Sequence, residues 1–279
     1  MNRRFSYQKT RQAGKAPRGR NVTIEQETTL LPFLFDLLKE QSRSSVKALL
    51  GHGQILVNQN VTTQFDTPLK PGDVVTISYE RGKVAFNNQL LNIVYEDDFV
   101  IVINKKEGLL SVSTAKVRER TAYHILSDYL KKSDPRNKIF VLHRLDRETS
   151  GLMMFAKTRA VQEKMQANWN EMITERTYVA VVEGCPEKDS DLLTTNLQEN
   201  AEARVYVVAE GGKEAITRYQ VLRTNDKYTL LELNLETGRK NQIRAQMEYI
   251  GHPIAGDYKY GAETDPTGRL MLHAQRLYF

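Results

Sequence analysis

The chain has 279 residues, of which 40% are hydrophobic and 27% charged, so it is expected to be a soluble globular protein rather than a disordered one. Its longest apolar run, Leu30 to Phe35, covers six residues, whereas a membrane-spanning helix needs about 20. The single cysteine, Cys185, excludes an internal disulfide framework and argues against a cysteine-rich zinc module, so the cytoplasm is the simplest compartment.

The net charge of +6 comes from the N-terminal segment. Residues 1–20 contain seven Lys or Arg and no acid, whereas the rest of the chain contains 33 basic and 34 acidic side chains. With almost nothing apolar to bury, residues 1–20 are predicted to be a disordered basic tail. Such a tail attracts polyanions such as RNA, although a merely solubilising role fits it equally well. No apolar segment follows it, so we expect no secretory signal peptide.

Residues 21–82 are predicted to form a small domain of two helices followed by short strands. Leucines at helical spacing predict the first helix from residue 29 onward, and Ser42 or Ser44 can cap the second helix. Strands are predicted at 55–57 and 74–79.

A polar linker at 83–90 is predicted to precede a larger domain at 91–279. Its predicted strands lie at 99–103, 139–142, 152–155, 176–183, 215–222 and 228–235. Its predicted helices lie at about 121–131, 159–170 and 240–250. Many strands with few helices between them favour an α+β domain with a mixed, mostly antiparallel sheet.

The most informative polar segment is HRLDRETSG at 143–151, between two apolar strands. Asp146 is therefore expected at a sheet end, near solvent. Arg144 and Arg147 would favour its ionised form if their side chains turn towards it, and an ionised carboxylate can act as a nucleophile or base. Structural ion pairs are common, so these residues alone favour a turn cap or a surface ion network.

A second polar segment, TGRKNQIR at 237–244, leads into a predicted helix. Backbone N–H groups at the helix start, with Arg239 and Lys240 beside them, form a potential anion site. Arg244 lies on the helix flank and could reach a carboxylate elsewhere. An ordinary amphipathic helix with a solvated basic face is the alternative.

Two further features could contact RNA. Tyr178, on a predicted strand, is either a packing residue or a platform for a nucleobase. Arg43 and Lys47 form a basic face on the second helix of the small domain, suited to backbone phosphates. That domain is not basic as a whole, so only a local patch could bind RNA, and a solvated face competes with this interpretation.

Other chemistries find little support in the sequence. The five histidines lack the spacing of a metal site. The chain also lacks a Walker A motif, a GxGxxG fingerprint after a strand and a GxSxG elbow.

Together these segments resemble the RluA-type pseudouridine synthases, a family that modifies uridines in ribosomal and transfer RNA. The similarity covers nearly all of 91–279 in the family's order. It rests on HRLDRETSG at 143–151, RTYVAVVEG at 176–184, LETGRKNQIR at 235–244, GHPIAGDYKYG at 251–261 and LMLHA at 270–274. Residues 29–79 resemble the αL RNA-binding module of a small-subunit ribosomal protein.

The resemblance implies a role for each matching residue. Asp146 matches the catalytic aspartate, Tyr178 the tyrosine that stacks on the target base, and Arg244 the arginine that pairs with the catalytic carboxylate. Leu272 is implied to form an apolar wall of the pocket, and Arg144 is expected to fill the space left by a flipped uridine.

The implied reaction breaks the base–sugar bond, rotates the base and rebonds it through a ring carbon, without a metal or cofactor. Asp146 either attacks the anomeric carbon or assists loss of a neighbouring proton, and the resemblance to the family favours the second route. The αL-like module favours ribosomal over transfer RNA as the partner, and nothing demands more than a monomer.

The chain departs from the family pattern at three positions. Asn241 and Gln246 stand where the family usually has histidine, and Lys106 stands where it has proline. Asn241 and Gln246 keep hydrogen-bonding ability, so we expect activity to survive, although both could alter RNA contacts. The loop at Lys106 could bend differently or contact phosphate. Two alternatives stay open: a non-catalytic RNA-binding factor in ribosome assembly, and a glycosidase-like hydrolase. The hydrolase would normally need a carboxylate paired with Asp146, for which Glu148 is the nearest acid.

Overall fold

A computed structural model describes residues 19–79, 86–113 and 120–279. Within this part of the chain, one compact unit contains Asn88–His124 and Phe140–Phe279. The other unit contains the residues up to Asn87 together with Ile125–Ile139. The predicted domain boundaries and the linker at 83–90, part of which lies outside the described residues, stay a prediction.

Among the described residues, the N-terminal part of the smaller unit forms two helices and two small sheets. Its helices are α1 (Leu30–Leu37) and α2 (Arg43–Gly51), and its strands are β1 (Gly19–Thr23), β2 (Thr28–Thr29), β3 (Ile55–Val57), β4 (Asn60–Val61), β5 (Pro68–Leu69) and β6 (Val74–Ser78). The described strands form an antiparallel sheet of order β1-β6-β3-β4 and a β2–β5 pair.

The leucine spacing correctly predicted α1, whose Leu30 and Leu34 are fully buried. Val46 and Leu50 of α2 pack into the same core. Ser42 caps α2, since its Oγ accepts a hydrogen bond of 3.1 Å from the backbone N–H of Ser45.

Strand β1 corrects the predicted extent of the tail. Gly19 and Arg20, expected to be disordered, pair with Ser78 and Ile77. The segment carries no apolar alternation of its own, and its order comes from pairing with the apolar strand β6. Residues 1–18 of the predicted tail lie outside the described residues.

The larger unit is built on one extensive sheet. Its strands are β7 (Leu91–Glu96), β8 (Val100–Lys105), β9 (Phe140–Val141), β10 (Ser150–Ala156), β11 (Glu175–Glu183), β12 (Ser190–Glu199), β13 (Val205–Val208), β14 (Lys213–Thr224), β15 (Tyr228–Leu235) and β16 (Leu272–Tyr278). Among the described residues the order is β13-β12-β14-β15-β11-β16-β10-β8-β7, with β9 on β10.

Pairing in this sheet is antiparallel between the described strands, except that β10 and β16 run parallel. The remaining helices are α3 (Ala122–Ser133), which belongs mostly to the smaller unit, α4 (Arg159–Ala167), α5 (Trp169–Met172) and α6 (Gln242–Tyr249). The fold is therefore α+β with a mixed, mostly antiparallel sheet, as the sequence predicted. The described helices include no stretch long and apolar enough to cross a bilayer.

Hydrophobic cores pack helices against this sheet. Ile243 and Met247 of α6 pack against β11, β15 and neighbouring strands. Met165 of α4 packs against β8 and β10, and all seven residues of β10 are buried. The parallel β10–β16 contact requires Gly151, which has φ +119° and whose added Cβ would lie 2.2 Å from the carbonyl oxygen of Ala274. This close approach places the segment before β10 beside the start of β16.

Candidate active site

A cleft of about 1380 Å³ opens in the larger unit. Five of the eight predicted site residues line it: Arg144, Asp146, Tyr178, Arg239 and Arg244. Leu272 does not line this cleft. It is 4% exposed and buried in the core, whereas Leu270, which is equally buried, borders the cleft. Arg43 and Lys47 are exposed on α2 in the smaller unit.

The loop that carries Asp146 is fixed through its backbone on both sides. Leu145 accepts a hydrogen bond of 2.6 Å from the Ser111 hydroxyl and donates one of 3.1 Å to the same oxygen. The carbonyl of Arg147 accepts from the backbone N–H of Gly108 at 2.8 Å. The side chain of Arg147 donates to the carbonyl of Gly108 at 3.1 Å. Asp146 is thus held at the end of the sheet by a neighbouring loop.

His143, at the start of the same loop, has a structural role that the sequence did not reveal. Its Nε2 accepts a hydrogen bond of 3.0 Å from the backbone N–H of Met154 on β10. Burial, with a smaller effect of the Arg176 charge, lowers the pKa of His143 to about 4. The ring therefore stays neutral near pH 7 and can keep accepting that bond.

Lys105, at the end of β8, holds the loop by hydrogen bonds to backbone carbonyls. Its buried Nζ donates to the carbonyls of Leu109 at 2.8 Å, Lys106 at 3.0 Å and Arg147 at 3.2 Å. Burial lowers the pKa of Lys105 to about 8, although the carboxylates of Glu148 and Asp146 raise it. Its buried ammonium therefore lies next to the loop that carries Asp146 and Glu148.

Lys106 stands where the family usually has proline, and its backbone N–H makes a contact that proline could not make. The N–H of Lys106 donates a hydrogen bond of 2.9 Å to the carbonyl of Leu90, extending the β7–β8 pairing. A proline at this position could not donate that bond.

Arg244 is the centre of the charged cluster in the cleft. It lies on α6 and is 6% exposed. Its Nε and Nη2 donate to the two carboxylate oxygens of Asp257, each at 2.7 Å. Its Nη1 lies 3.7 Å from Asp146 Oδ2 and 3.6 Å from Glu148 Oε2, and the guanidinium carbon lies 4.9 Å from the centre of the Tyr260 ring.

Arg244 and Asp146 therefore meet as the resemblance implied, but Asp257 is the stronger partner. Burial alone would lower the pKa of Arg244, and the hydrogen bonds and charges of its carboxylate neighbours raise it overall. The sequence analysis gave Asp257 no role, although it lies within the segment GHPIAGDYKYG.

The carboxylate of Asp146 is only partly stabilised in its ionised form. Its side chain is 29% exposed. Burial raises the pKa of Asp146 above its usual range, Arg244 lowers it, and the charges of Glu148 and Asp257 raise it further. Arg244, rather than the arginines adjacent in sequence, supplies the compensating charge.

Asn241, one of the departures from the family pattern, lies against this carboxylate. It is 8% exposed and has φ +50°, a left-handed conformation that asparagine tolerates better than most residues. Its amide is satisfied at both ends in one orientation. Nδ2 then donates to Asp146 Oδ2 at 3.0 Å and Oδ1 at 3.1 Å, and the amide oxygen accepts from the Tyr260 hydroxyl at 2.9 Å.

Gln246, another departure, does not face the cleft. It is fully buried, where it accepts a hydrogen bond of 2.6 Å from Thr217 and donates one of 3.1 Å to the carbonyl of Ala215. Its amide joins α6 to β14, and an effect of this substitution on RNA contacts stays a prediction.

Tyr178 enters the cleft from β11 next to an irregularity in the pairing with β16. The register shifts between Thr177 and Tyr178, and such bulges redirect side chains. Burial raises the pKa of Tyr178 to about 12, with Arg176 lowering it and Asp146 raising it. The phenol is therefore protonated at neutral pH, while its ring packs on the core that contains Leu272.

Basic side chains surround the cleft, and several are held by protein partners. Arg239 Nε donates to the carbonyl of Glu214 at 2.8 Å, and Lys240 pairs with Glu199 at 2.5 Å. Arg144 is exposed at the cleft. Within the described residues, no group of three or more His, Cys, Asp or Glu converges as metal ligands would.

Comparison with known proteins identifies relatives of this chain. Residues 99–249 match the sequence profile of the family described as RNA pseudouridylate synthase. The ribosomal large subunit pseudouridine synthase D of Neisseria meningitidis serogroup A is 34% identical over 262 residues, covering 88% of this chain and 70% of that protein. The uncharacterized RNA pseudouridine synthase YjbO of Bacillus subtilis is 31% identical over 235 residues, covering 82% of each chain.

A solved structure has a similar fold. Human RNA pseudouridylate synthase domain containing 4 superposes with a TM-score of 0.56 at 23% identity, covering 66% of this chain and 82% of that one.

Proposed function

This chain belongs to the RNA pseudouridylate synthase family, and we propose that it converts specific uridines of large-subunit ribosomal RNA to pseudouridine with Asp146 as its catalytic residue. Family membership makes it an isomerase of RNA uridine. Relatives in Neisseria meningitidis and Vibrio cholerae, named ribosomal large subunit pseudouridine synthase D, support the choice of RNA. We place the activity in the cytoplasm, with a monomer sufficient for it.

The observation that carries the catalytic assignment is the position of Asp146 between Arg244 and Asn241 in the cleft. The reaction breaks the bond between C1′ and N1 of uridine, forms a bond between C1′ and C5, and exchanges the C5 hydrogen for a proton on N1. An ionised Asp146 either attacks C1′ or removes a proton from the neighbouring sugar carbon, and both routes need the carboxylate form.

The other cleft residues have roles that follow from their contacts. The target uridine leaves its stack to enter the cleft. Tyr178 then lies beneath the base, with its ring supported by the core. Because its hydroxyl is protonated, Tyr178 donates a hydrogen bond rather than serving as a base near pH 7. Exposed Arg144 occupies the space that the base leaves in the RNA.

Release of tritium from RNA labelled at C5 of uridine tests this function. Ribosomal and transfer RNA are compared as substrates, because only isomerisation transfers that hydrogen to water. We expect release from large-subunit ribosomal RNA that disappears in Asp146→Asn, while the variant's affinity for RNA stays nearly unchanged.

Asp191→Asn is the matched control, because Asp191 pairs with Lys188 at an exposed site outside the cleft. Full activity in Asp146→Asn would refute the catalytic assignment. Release from transfer RNA alone would refute the ribosomal substrate.

A further inference from the structure

The start of α6 brings an uncharged amide to the candidate catalytic carboxylate. Asn241 precedes the helix, and its side chain makes no capping bond to the helix backbone. The amide instead lies 3.0 and 3.1 Å from the two oxygens of Asp146. A side chain at a helix N-cap usually satisfies the helix N–H groups, so the direction of this one calls for another explanation.

The backbone of Asn241 accounts for that direction. Its φ of +50° and ψ of +25° differ from the extended conformation in which an N-cap side chain usually reaches the helix N–H groups. Its carbonyl still accepts the first helical bond, from the N–H of Ala245 at 3.0 Å. The left-handed conformation costs asparagine little, and glycine would adopt it freely.

The far end of the amide is also fixed. The hydroxyl of Tyr260 donates to the amide oxygen at 2.9 Å and accepts from the backbone N–H of Val205 at 3.3 Å. Tyr260 is fully buried beneath Arg244. With Asp146 ionised, only the orientation with Nδ2 towards Asp146 satisfies both ends of the Asn241 amide.

We propose that Asn241 is a positioning residue, which holds both carboxylate oxygens of Asp146 in the orientation required for catalysis while Tyr260 holds Asn241. This inference rests on the proposed catalytic role of Asp146. Arg244 supplies charge from 3.7 Å, but its two short hydrogen bonds are made to Asp257. Asn241 approaches both oxygens more closely and adds direction without charge.

A donor to the ionised form also favours that form. The charged and titratable groups facing Asp146 are Arg244 on α6, Glu148 on its own loop, Asp257 after α6, Tyr178 on β11 and Lys105 on β8. Removing the Asn241 amide leaves those groups in place, so the carboxylate loses a donor and its pKa rises. A purely structural asparagine would not move the acid limb of the pH profile.

Asn241→Gly provides the direct test, because glycine keeps the left-handed backbone and removes the amide. We expect kcat for tritium release to fall about 10²-fold at neutral pH with KM nearly unchanged. The acidic limb of the profile of kcat against pH should move to higher pH by about one unit. Tyr260→Phe, which frees the far end of the amide, should lower kcat less and move the limb in the same direction.

Asn241→Asp preserves the side-chain volume and decides the question if the glycine variant fails to fold. It places a second carboxylate against Asp146, so the acid limb should move further upward. Wild-type kcat and an unmoved limb in folded Asn241 variants would overturn this inference. The same result combined with an inactive Asp146→Asn would leave the proposed function intact, whereas an active Asp146→Asn would remove the premise of both.

Discussion

Arg244 donates two hydrogen bonds of 2.7 Å to Asp257, whereas its distance to Asp146 is 3.7 Å. Asp257 is 2% exposed and follows Gly256, whose φ is +79° and whose added Cβ would lie 2.1 Å from the carbonyl oxygen of Arg269. This tight turn places Asp257 against α6. Asp257 therefore fixes the guanidinium, and Arg244 then presents its remaining edge to Asp146 and Glu148.

Replacing Asp257 should destabilise the protein as well as slow the reaction. Asp257→Asn leaves the guanidinium of Arg244 buried with weaker compensation, which typically costs about 3–5 kcal/mol. Urea unfolding measures that loss, and tritium release should fall because Arg244 is no longer fixed. Glu236→Gln is the control, because the exposed Arg218–Glu236 pair at 3.5 Å should contribute less than about 1 kcal/mol. Equal stability of the two variants would contradict this account.

The sequence predicted the elements whose pattern is local. Apolar spacing identified α1, and alternation with apolar runs identified β11 and the β14–β15 pair. Strand β12 and the β1 segment were missed because polar residues fill much of both, and their order comes from pairing with distant strands. The helix predicted at 159–170 divides at Asn168 into α4 and α5.

The candidate site was predicted only where a motif carried it. Asp146, Tyr178 and Arg244 were candidates from their own segments, and their roles came from the resemblance. The structure brings them to one cleft. Asp257 had no signal of its own, because its partner lies 13 residues earlier on a helix and no periodicity links the two. Leu272 was assigned to the pocket wall, but strand alternation turns it into the core.

Glu148 should control the pH at which Asp146 ionises. Burial and then the charge of Glu148 raise the pKa of Asp146, so the carboxylate is lost on acidification at a higher pH than for an ordinary aspartate. Glu148→Gln removes one negative charge and should shift the acid limb of kcat to lower pH. The pH profile of tritium release measures this shift, and Glu187→Gln, an exposed acid outside the cleft, should leave it unchanged. A limb that stays fixed in Glu148→Gln would show that this charge does not reach Asp146.

His143 should make folding sensitive to mild acid. Its pKa is lowered from 6.5 to about 4, so between these values the unfolded chain binds a proton that the folded protein excludes. Stability is therefore lost as the pH falls below 6.5, reaching about 3 kcal/mol near pH 4 by linkage. His143→Gln keeps an acceptor for the N–H of Met154 without titrating, so its unfolding free energy should fall less over this range.

The reference is the unfolding free energy of the wild type and of His143→Gln at pH 8, where His143 is neutral in both the folded and the unfolded state. Parallel stability curves from pH 8 to pH 4 would show that His143 does not carry this dependence.

The exposed basic face of α2 should contribute to RNA affinity. Arg43 and Lys47 lie opposite the buried Val46 and Leu50, and the Arg43 guanidinium lies 5.4 Å from the centre of the Phe35 ring. Reversing both charges should weaken binding of the substrate RNA and reduce the salt slope by about 0.7–0.9 for each phosphate that the variant no longer neutralises.

The matched control reverses Lys39 and Lys70, which are exposed outside α2 and change the net charge equally. Affinity measured across a salt series should fall more for the α2 variant than for this control, since only a local contact depends on position. An equal decrease in the two variants would mean that the smaller unit attracts RNA through net charge. An unchanged affinity in the α2 variant would mean that RNA contacts another face.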